Sequence, residues 1–241
     1  LRDCFPRGHV LKQVDDSLRS LQVDSIDLVQ FHVWNDNWAG DPEWQETVKE
    51  ILQSGKVKNW GISINDYQPS NCFKAIDTGL ISTIQFIFNI FHQKPVEKLL
   101  PYAKEHNIGL IARVPLDEGG LSGKISSKTN FPEGDFRSKY FTGERLLELD
   151  THISNLSGLL NENVQTIPEL ALRFILSNSE MSTVIPGMRK LDHVLGNTDV
   201  SDKGPLPDTL IEELKKQAWE RNFYADDNRD PDMADTNYLE I

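Results

Sequence analysis

The 241-residue sequence is short of several features that define whole classes of protein. Its two cysteines, Cys4 and Cys72, are too few for a disulfide framework, and we expect a reducing, cytoplasmic location. Only 25 lysines and arginines stand against 37 acidic residues, giving a net charge of -12. Because phosphate backbones need a cationic face, this balance predicts no nucleic-acid partner. No apolar run reaches the ~18 residues of a membrane span, and the first residues lack a signal-peptide pattern, so we predict no membrane partner.

The common motifs of catalytic and nucleotide-binding proteins are also absent. No CxxC, HExxH, GxSxG or P-loop spacing occurs, so zinc, serine-hydrolase and kinase-type chemistry have no support and no metal is predicted. No GxGxxG fingerprint occurs either, which argues against a Rossmann dinucleotide site. The composition, with 38% hydrophobic and 26% charged residues, is that of a soluble globular protein.

Five apolar runs alternate with amphipathic stretches along the chain, and each run is nearly continuous rather than strictly alternating. The runs lie at 26–33, 57–62, 83–89, 108–114 and 182–185. Helical patterns occupy 10–21, 43–54, 70–78, 95–106, 143–160, 168–177 and 207–219. Continuous apolar strands separated by helices are typical of a parallel sheet covered by helices, which is either an open sheet or a closed barrel.

The number of strands bears on whether the chain is a whole domain. A closed barrel of eight strands needs three more, or roughly 90 residues at about 30 per βα unit. Residues 1–10 cannot supply them, so either the sheet is open or the front of a barrel lies outside this sequence. Because the chain begins with Leu1, we expect a fragment. Without the missing part, the side chains of Val29, Phe31, Phe86 and Ile111 would be uncovered.

Two segments depart from the alternation. Residues 115–142 form a long stretch rich in glycine, serine and lysine, and loops of this length are usually functional or mobile. Residues 222–241 are acidic and rich in turn-forming residues, which predicts a solvated C-terminal tail. We therefore predict one domain over 1–221 and a tail over 222–241.

Polar residues gather where the apolar runs end. In parallel α/β proteins, ligands bind at the carboxyl ends of the strands, so five polar strand ends predict a site for a large polar ligand. Gln85 within an apolar strand requires a hydrogen-bond partner, either a ligand amide or a neighbouring backbone group. A single histidine such as His32 is more often structural than catalytic. The residues at the strand ends are His32, Ser63, Asn65, Gln85, Asn89, Arg113, Gly187, Met188 and Arg189.

Six segments, in this order and spacing, resemble the aldo-keto reductase family. They are SLRSLQVDSIDLVQFHVW, GKVKNWGIS, STIQFIFN, ARVPLDEGGLSGK, ELALRFIL and STVIPGMRKLDHVLGN, and the resemblance extends over about residues 13–221. It is strongest to the bacterial-type branch with an RVPxDEGxLxGK loop. The resemblance implies a (β/α)8 TIM barrel, here lacking about the first three βα units.

The resemblance also implies a reaction. A nicotinamide cofactor binds across the carboxyl ends of the strands, and hydride passes between it and a small-molecule carbonyl substrate, an aldehyde or ketone, in either direction. The carbonyl oxygen becomes alkoxide-like in the transition state, so the site needs hydrogen-bond donors and an acid of lowered pKa. In the family this acid is a tyrosine, which a lysine–aspartate pair tunes.

Residue by residue, the match gives His32 the place of the catalytic histidine. Ser63, Asn65 and Gln85 take the places of the groups that hold the nicotinamide carboxamide, although Ile64 intervenes where Asn commonly follows Ser directly. Arg113 stands where an aromatic residue usually stacks on the nicotinamide, and a guanidinium can also stack. The residues that match the loop over the pyrophosphate are Pro115, Leu116, Gly120 and Leu121.

The segment from Gly187 to Asn197 matches the part of the family that holds the adenosine end of the cofactor. Arg189 falls near the 2′-phosphate, and His193 and Asn197 fall beside the adenine. The sequence departs from the family's pattern at two positions, with Gly187 in place of a lysine and Gly196 in place of a glutamate. Arg189 and Lys190 favour NADP, with NAD as the alternative, and Met188 completes the predicted cofactor-binding segment.

The acid and base residues of the family do not match this sequence. The aspartate, tyrosine and lysine belong to its first three strands, and no tyrosine here lies at a corresponding strand end. The leading prediction is an NAD(P)-dependent aldo-keto reductase, inactive as this fragment alone. A non-catalytic nucleotide-binding or interaction module of the same fold is the alternative, and an unrelated parallel α/β enzyme with His32 as general base is a third. Neither the substrate nor the oligomeric state follows from the sequence.

Overall fold

A computed structural model describes residues 4–64 and 68–220 of the chain. Five strands alternate with helices, as the apolar runs predict. The strands are β1 (Ile26–Phe31), β2 (Val57–Ser63), β3 (Thr83–Ile87), β4 (Gly109–Arg113) and β5 (Met181–Val184). The helices are α1 (Arg7–Leu21), α2 (Pro42–Gln53), α3 (Phe73–Asp77), α4 (Pro95–Glu105), α5 (Arg137–Tyr140), α6 (Arg145–Ser157), α7 (Ile167–Leu176), α8 (Leu191–Asp199) and α9 (Asp208–Lys215).

The strands form one sheet in the order β1-β2-β3-β4-β5, which is also their order in the chain. Strand β2 pairs in parallel with both β1 and β3. The predicted parallel sheet is therefore confirmed. Strands that follow one another along the chain are also neighbours in the sheet, as expected when helices connect successive parallel strands.

The register assigns the residues of β1, β2 and β3 to two faces. Phe31 pairs with Ile62 and Ile62 with Ile84, so these three side chains lie on one face, and all three are buried. Helix α2 packs against β2. Gln30, Gly61 and Thr83 form a row on the opposite face. The apolar side chains thus point to the covered face.

The expectation of uncovered apolar side chains is wrong for most of the residues it named. Phe31, Phe86 and Ile111 are 3%, 1% and 9% exposed, and Val29 is half-buried. Near-continuous apolar runs do not show which face a residue occupies, whereas the register does. The open face, which is that of Gln30 and Thr83, carries amides and hydroxyls together with the apolar Leu28 and Ile87.

Side-chain caps begin two of the helices. The Asp41 carboxylate accepts a hydrogen bond from Glu43 N at 2.9 Å before α2, and Thr166 Oγ1 accepts one from Glu169 N at 3.2 Å before α7. In each case a proline lies in the first turn, where its missing N–H costs nothing. These caps follow the punctuation visible in the sequence.

The chain folds into two compact units, each with its own interior. The described part of the first comprises residues 4–64, 68–86 and 96–110, and that of the second comprises 87–95 and 111–220. No helix among the described residues is long and apolar enough to cross a membrane. The predicted tail at 222–241 lies outside the described residues.

Candidate functional site

Strands β2 and β3 place two polar side chains side by side in the first unit. Ser63, the last residue of β2, pairs with Gln85 of β3, so both lie on the open face. The Gln30 amide nitrogen donates to Gln85 Oε1 at 3.0 Å, and Thr83 Oγ1 approaches Gln30 Oε1 at 3.5 Å. The partner of Gln85 is thus a neighbouring side chain, which the sequence did not identify. Only the register reveals that Gln30 lies one row away.

Two hydrogen-bonding groups of this row have no partner among the described residues. The Gln85 Nε2 and Ser63 Oγ atoms make no hydrogen bond there, although Ser63 is only 5% exposed. Neither atom is among the buried side-chain atoms that lack a partner, so both are within reach of solvent. They are therefore available to hydrogen-bond a ligand carbonyl or amide.

Gly61 fits the same row for a steric reason. A Cβ atom added to it would lie 2.1 Å from Thr83 Oγ1 and 3.1 Å from Gln30 Cγ. Only glycine therefore lets these side chains approach each other over β2. The Gln30–Gln85 hydrogen bond depends on this gap in the row.

His32 directly follows β1 and is exposed. It lies two residues beyond Gln30, so the alternation of the strand continues the open face toward it. It also lines a small cavity of about 160 Å³ with Phe31, Trp60 and residues of α1. The imidazole is thus accessible from solvent.

In the second unit, the segment after β4 has unusual backbone angles. Val114, Asp117 and Glu118 have φ of 52°, 48° and 53°, in the left-handed region that non-glycine residues rarely adopt. Pro115, Gly120 and Leu121 are buried, and Leu116 is half-buried. The stretch predicted as a loop over 115–142 contains two short 3-10 turns within Asp117–Ser122, separated by a kink at Glu118 and Gly119, and helix α5.

The Asp117 carboxylate is the centre of a cluster that sequence reasoning missed. Asp117 is 3% exposed and accepts a hydrogen bond from the Tyr140 hydroxyl at 2.6 Å. Arg145 approaches the same oxygen at 3.9 Å, and its guanidinium lies 3.7 Å from the centroid of the Trp219 ring. These residues come from distant parts of the sequence and share no motif, so no local pattern indicates their contact.

The electrostatics of this segment are mixed. Burial and the neighbouring Asp117 carboxylate raise the pKa of Glu118, and Arg113 and Arg137 act in the opposite direction. Arg113, predicted beside the nicotinamide, ends β4 and is half-buried. An anionic ligand near this segment therefore meets both arginines and a carboxyl group that is more easily protonated than usual.

The predicted adenosine-binding residues lie in the connection from β5 to α8 and on α8 itself. Gly187, Met188 and Arg189 are exposed in the connection, whereas His193 and Asn197 are half-buried on α8. Asn197 Nδ2 donates to the Gly187 carbonyl at 3.3 Å. His193 and Asn197 are four residues apart and share one face of the helix, as a surface for a planar base requires.

One predicted site residue, Asn65, lies outside the described residues. Within the described ranges, no group of three or more histidine, cysteine, aspartate or glutamate side chains is arranged to hold a metal ion.

The donor set of this structure suits a nicotinamide dinucleotide. Ser63 Oγ and Gln85 Nε2 supply a hydroxyl and an amide donor of the kind that a carboxamide accepts. Exposed Arg189 and Lys190 supply cations of the kind that a phosphate requires.

The chain belongs to the aldo/keto reductase family. The sequence profile described as "Aldo/keto reductase family" matches residues 2–218. Its parallel α/β fold agrees with the solved structure of the glycerol dehydrogenase AKR11B4 from Gluconobacter oxydans, with a TM-score of 0.75 and 27% sequence identity over 90% of this chain.

Two further relatives are similar in sequence. Aldo-keto reductase YhdN from Bacillus subtilis is 28% identical over 233 residues, 93% of this chain. Aldo-keto reductase yakc [NADP(+)] from Schizosaccharomyces pombe is 24% identical over 216 residues, 86% of this chain. The chain spans 70% and 62% of these two relatives, and 66% of the glycerol dehydrogenase chain.

Proposed function

We propose that this chain binds a reduced nicotinamide dinucleotide and serves in the reduction of an aldehyde or ketone, or in the reverse oxidation of an alcohol. Family membership supports the reaction class. The pair Ser63 and Gln85, whose hydrogen-bonding groups lack partners among the described residues, is the observation that carries the proposal. The bound cofactor supplies the hydride.

The residues of the first unit hold the reacting end of the cofactor. Ser63 Oγ and Gln85 Nε2 hydrogen-bond the carboxamide, and Gln30 fixes the Gln85 side chain by binding its other amide atom. Asn65 adds a third group. His32 donates a hydrogen bond to the substrate carbonyl oxygen, where negative charge develops. These assignments make His32 the catalytic residue of this chain.

The residues of the second unit contact the nicotinamide ring at one position, Arg113, and hold the rest of the cofactor. Arg113 stacks on the nicotinamide, and the segment that carries Pro115, Leu116, Gly120 and Leu121 covers the pyrophosphate. The adenosine end is held by Gly187, Met188, Arg189, His193 and Asn197. Arg189 and Lys190 favour NADP over NAD because the additional 2′-phosphate requires cations.

We infer that residues 1–221 are the last five βα units of a (β/α)8 barrel, with 222–241 as its tail. The match to about two thirds of the glycerol dehydrogenase chain supports this assignment. In such a barrel all strand ends meet at one rim.

Binding of NADPH tests the proposal directly. Titrating the chain into NADPH should shift and enhance the nicotinamide fluorescence, and Gln85→Leu should weaken binding about tenfold or more, since a hydrogen bond to the carboxamide is lost. Gln53→Leu, an exposed glutamine at the end of α2, is the matched control and should bind like the unmodified chain. No fluorescence change at high micromolar chain concentration would refute the proposal.

A second function, nucleotide binding without turnover, has its own supporting observation. Two tyrosines among the described residues donate to carboxylates: Tyr102 donates to Asp77, which raises the pKa of Tyr102 to about 12, and Tyr140 donates to Asp117. A hydroxyl whose pKa is as high as that of Tyr102 is a poor proton donor near neutral pH. NADPH oxidation in the presence of nitrobenzaldehyde, measured on the protein extended by the sequence encoded before Leu1, separates the two functions, because a binding module binds NADPH without oxidising it.

A further inference from the structure

The segment after β4 keeps an unfavourable backbone conformation in the second unit. Val114, Asp117 and Glu118 have positive φ within five positions, and Val114 is β-branched, which makes this angle especially unfavourable. Strained conformations persist only where the surroundings determine them. Backbone hydrogen bonds within the segment, from Asp117 N to Val114 O and from Leu121 N to Leu116 O, hold it in part. Contacts from outside the segment add to them.

Those contacts converge on the Asp117 carboxylate. The Tyr140 hydroxyl, at the end of α5, donates to Oδ1 at 2.6 Å, and Arg145, at the start of α6, approaches the same atom at 3.9 Å. The other carboxylate oxygen lies against Gly120, where an added Cβ would be only 2.6 Å away. The carboxylate thus lies between the backbone at Gly120 and two helices that follow it in the chain.

Arg145 is itself held from its other side. Its guanidinium lies 3.7 Å from the centroid of the Trp219 ring and 5.7 Å from that of Tyr140. The Trp219 backbone N–H donates to the Phe91 carbonyl at 2.9 Å, and the Trp219 ring stacks on His152 of α6 at 4.2 Å. A cation between two aromatic rings and a carboxylate has little freedom to move. Arg145 therefore fixes the charge that faces Asp117.

We propose that Tyr140 and Arg145 are positioning residues which, through Asp117 and Gly120, hold the 115–121 segment in its nucleotide-binding conformation and so set the dissociation rate of the cofactor. This inference rests on the proposed function. Neither residue touches the cofactor, and each acts through Asp117. The reacting end of the cofactor is held elsewhere, so the cluster should affect binding and residence time more than the hydride-transfer step.

The variant Tyr140→Phe removes only the hydroxyl that binds Asp117. Tyr102→Phe is the matched control, because it removes a hydroxyl that donates to Asp77 at 2.5 Å in the other unit. Asp117→Asn is a second variant, which keeps an acceptor for Tyr140 but loses the charge that faces Arg145. Circular dichroism and thermal melting establish that each variant is folded.

The first measurement needs no cofactor. Lys124, Lys128, Arg137 and Lys139 are exposed trypsin sites in the stretch that follows the segment. Under native conditions, Tyr140→Phe should be cleaved there about tenfold faster than the unmodified chain, since loss of a hydrogen bond to a charged group frees the stretch. Tyr102→Phe should be cleaved at the original rate. Equal cleavage of all three proteins would overturn the inference.

The second measurement uses NADPH as the probe. Stopped-flow displacement should show about tenfold faster dissociation from Tyr140→Phe and a smaller increase for Asp117→Asn, with Tyr102→Phe unchanged. Unchanged dissociation from Tyr140→Phe overturns this inference alone, because the original chain still binds. Absence of NADPH binding by the original chain overturns both this inference and the proposed function.

Discussion

At the scale of single residues, the arrangement of Gln30, Thr83 and Gln85 on the open face depends on a glycine between them. Gln30 lies beside Gly61, which lies beside Thr83, and the missing side chain of Gly61 leaves the space that Gln30 uses to reach Gln85. Gln85 is consequently oriented with its amide nitrogen available. In the proposed function, a carboxamide would meet a side chain whose rotamer is already fixed, which lowers the entropy cost of binding.

The exposed His32 gives the first residue-scale prediction. His32→Ala in the active enzyme should lower kcat for carbonyl reduction by about a hundredfold, since one donor to the developing oxyanion is lost. The dissociation constant of NADPH, measured by fluorescence, should change less than twofold. His9→Ala, another exposed histidine beside the same cavity, is the control. Equal losses of rate and cofactor affinity would contradict the assigned role.

His152 gives a prediction of pH dependence. Burial and the nearby Arg145 lower its pKa, and Glu148 acts in the opposite direction. The unfolded chain therefore binds a proton more readily than the folded chain, so this residue makes the free energy of unfolding fall as pH drops below about 6.5. His152→Phe keeps an aromatic ring against Trp219 and should remove this part of the pH dependence.

Urea denaturation at pH 5, 6, 7 and 8 measures the effect. The change should be less than about 1 kcal/mol because the imidazole is partly solvated. His106→Phe, on the exposed surface of the other unit, serves as the control. A His152→Phe variant whose stability falls with acid as steeply as that of the original chain would show that another group titrates.

At the scale of elements, helix α7 is almost entirely buried and relies on its first turn. Thr166 caps it, and Glu169 reaches back to Gln165 N at 3.4 Å while also pairing with Arg173 at 3.1 Å. Arg173 in turn donates to the carbonyls of Asn163 and Gly204. The cap and the buried ion pair thus fix both the helix and the turns around it.

Removing the cap tests this arrangement. Thr166→Ala should lower the free energy of unfolding by about 1 kcal/mol, because Glu169 N loses its acceptor. Thr166→Ser keeps the hydroxyl and should restore most of the loss. Chemical denaturation of the three proteins at neutral pH measures the difference. If alanine and serine are equivalent, the hydroxyl does not stabilise the helix.

At the scale of the whole molecule, a ligand that binds only the folded chain must stabilise it. NADPH at a hundred times its dissociation constant should add about 2.7 kcal/mol to the free energy of unfolding. The same concentration of NADH should add less, since Arg189 and Lys190 then face no 2′-phosphate. Thermal melting with each nucleotide measures this. An equal shift would remove the preference for NADP.

Arg189→Ala is the variant for that comparison. It should reduce the shift caused by NADPH and leave the shift caused by NADH unchanged. Lys216→Ala, which removes another exposed cation of the same unit, controls for a general loss of positive charge. A lower shift with both nucleotides would place Arg189 at a group that the two cofactors share.

The order of elements follows from local patterns. Apolar runs locate all five strands to within a few residues. This works because strands of a parallel sheet that is covered by helices are rich in apolar residues along their whole length. Proline and threonine mark the start of α7 for the same local reason. Helix α8 had no predicted counterpart, since its amphipathic pattern is weak and its apolar residues Leu191 and Leu195 are exposed.

By itself, then, the sequence determined the alternation of strands and helices, their parallel pairing, and the strand ends at which polar residues collect. Only the tertiary structure decided which side chains meet. The register gave Gln85 its partner Gln30, and folding brought Tyr140 and Arg145 to Asp117 across more than twenty residues. Secondary structure depends on neighbours along the chain, whereas a cluster of this kind depends on distances in space that no local period encodes.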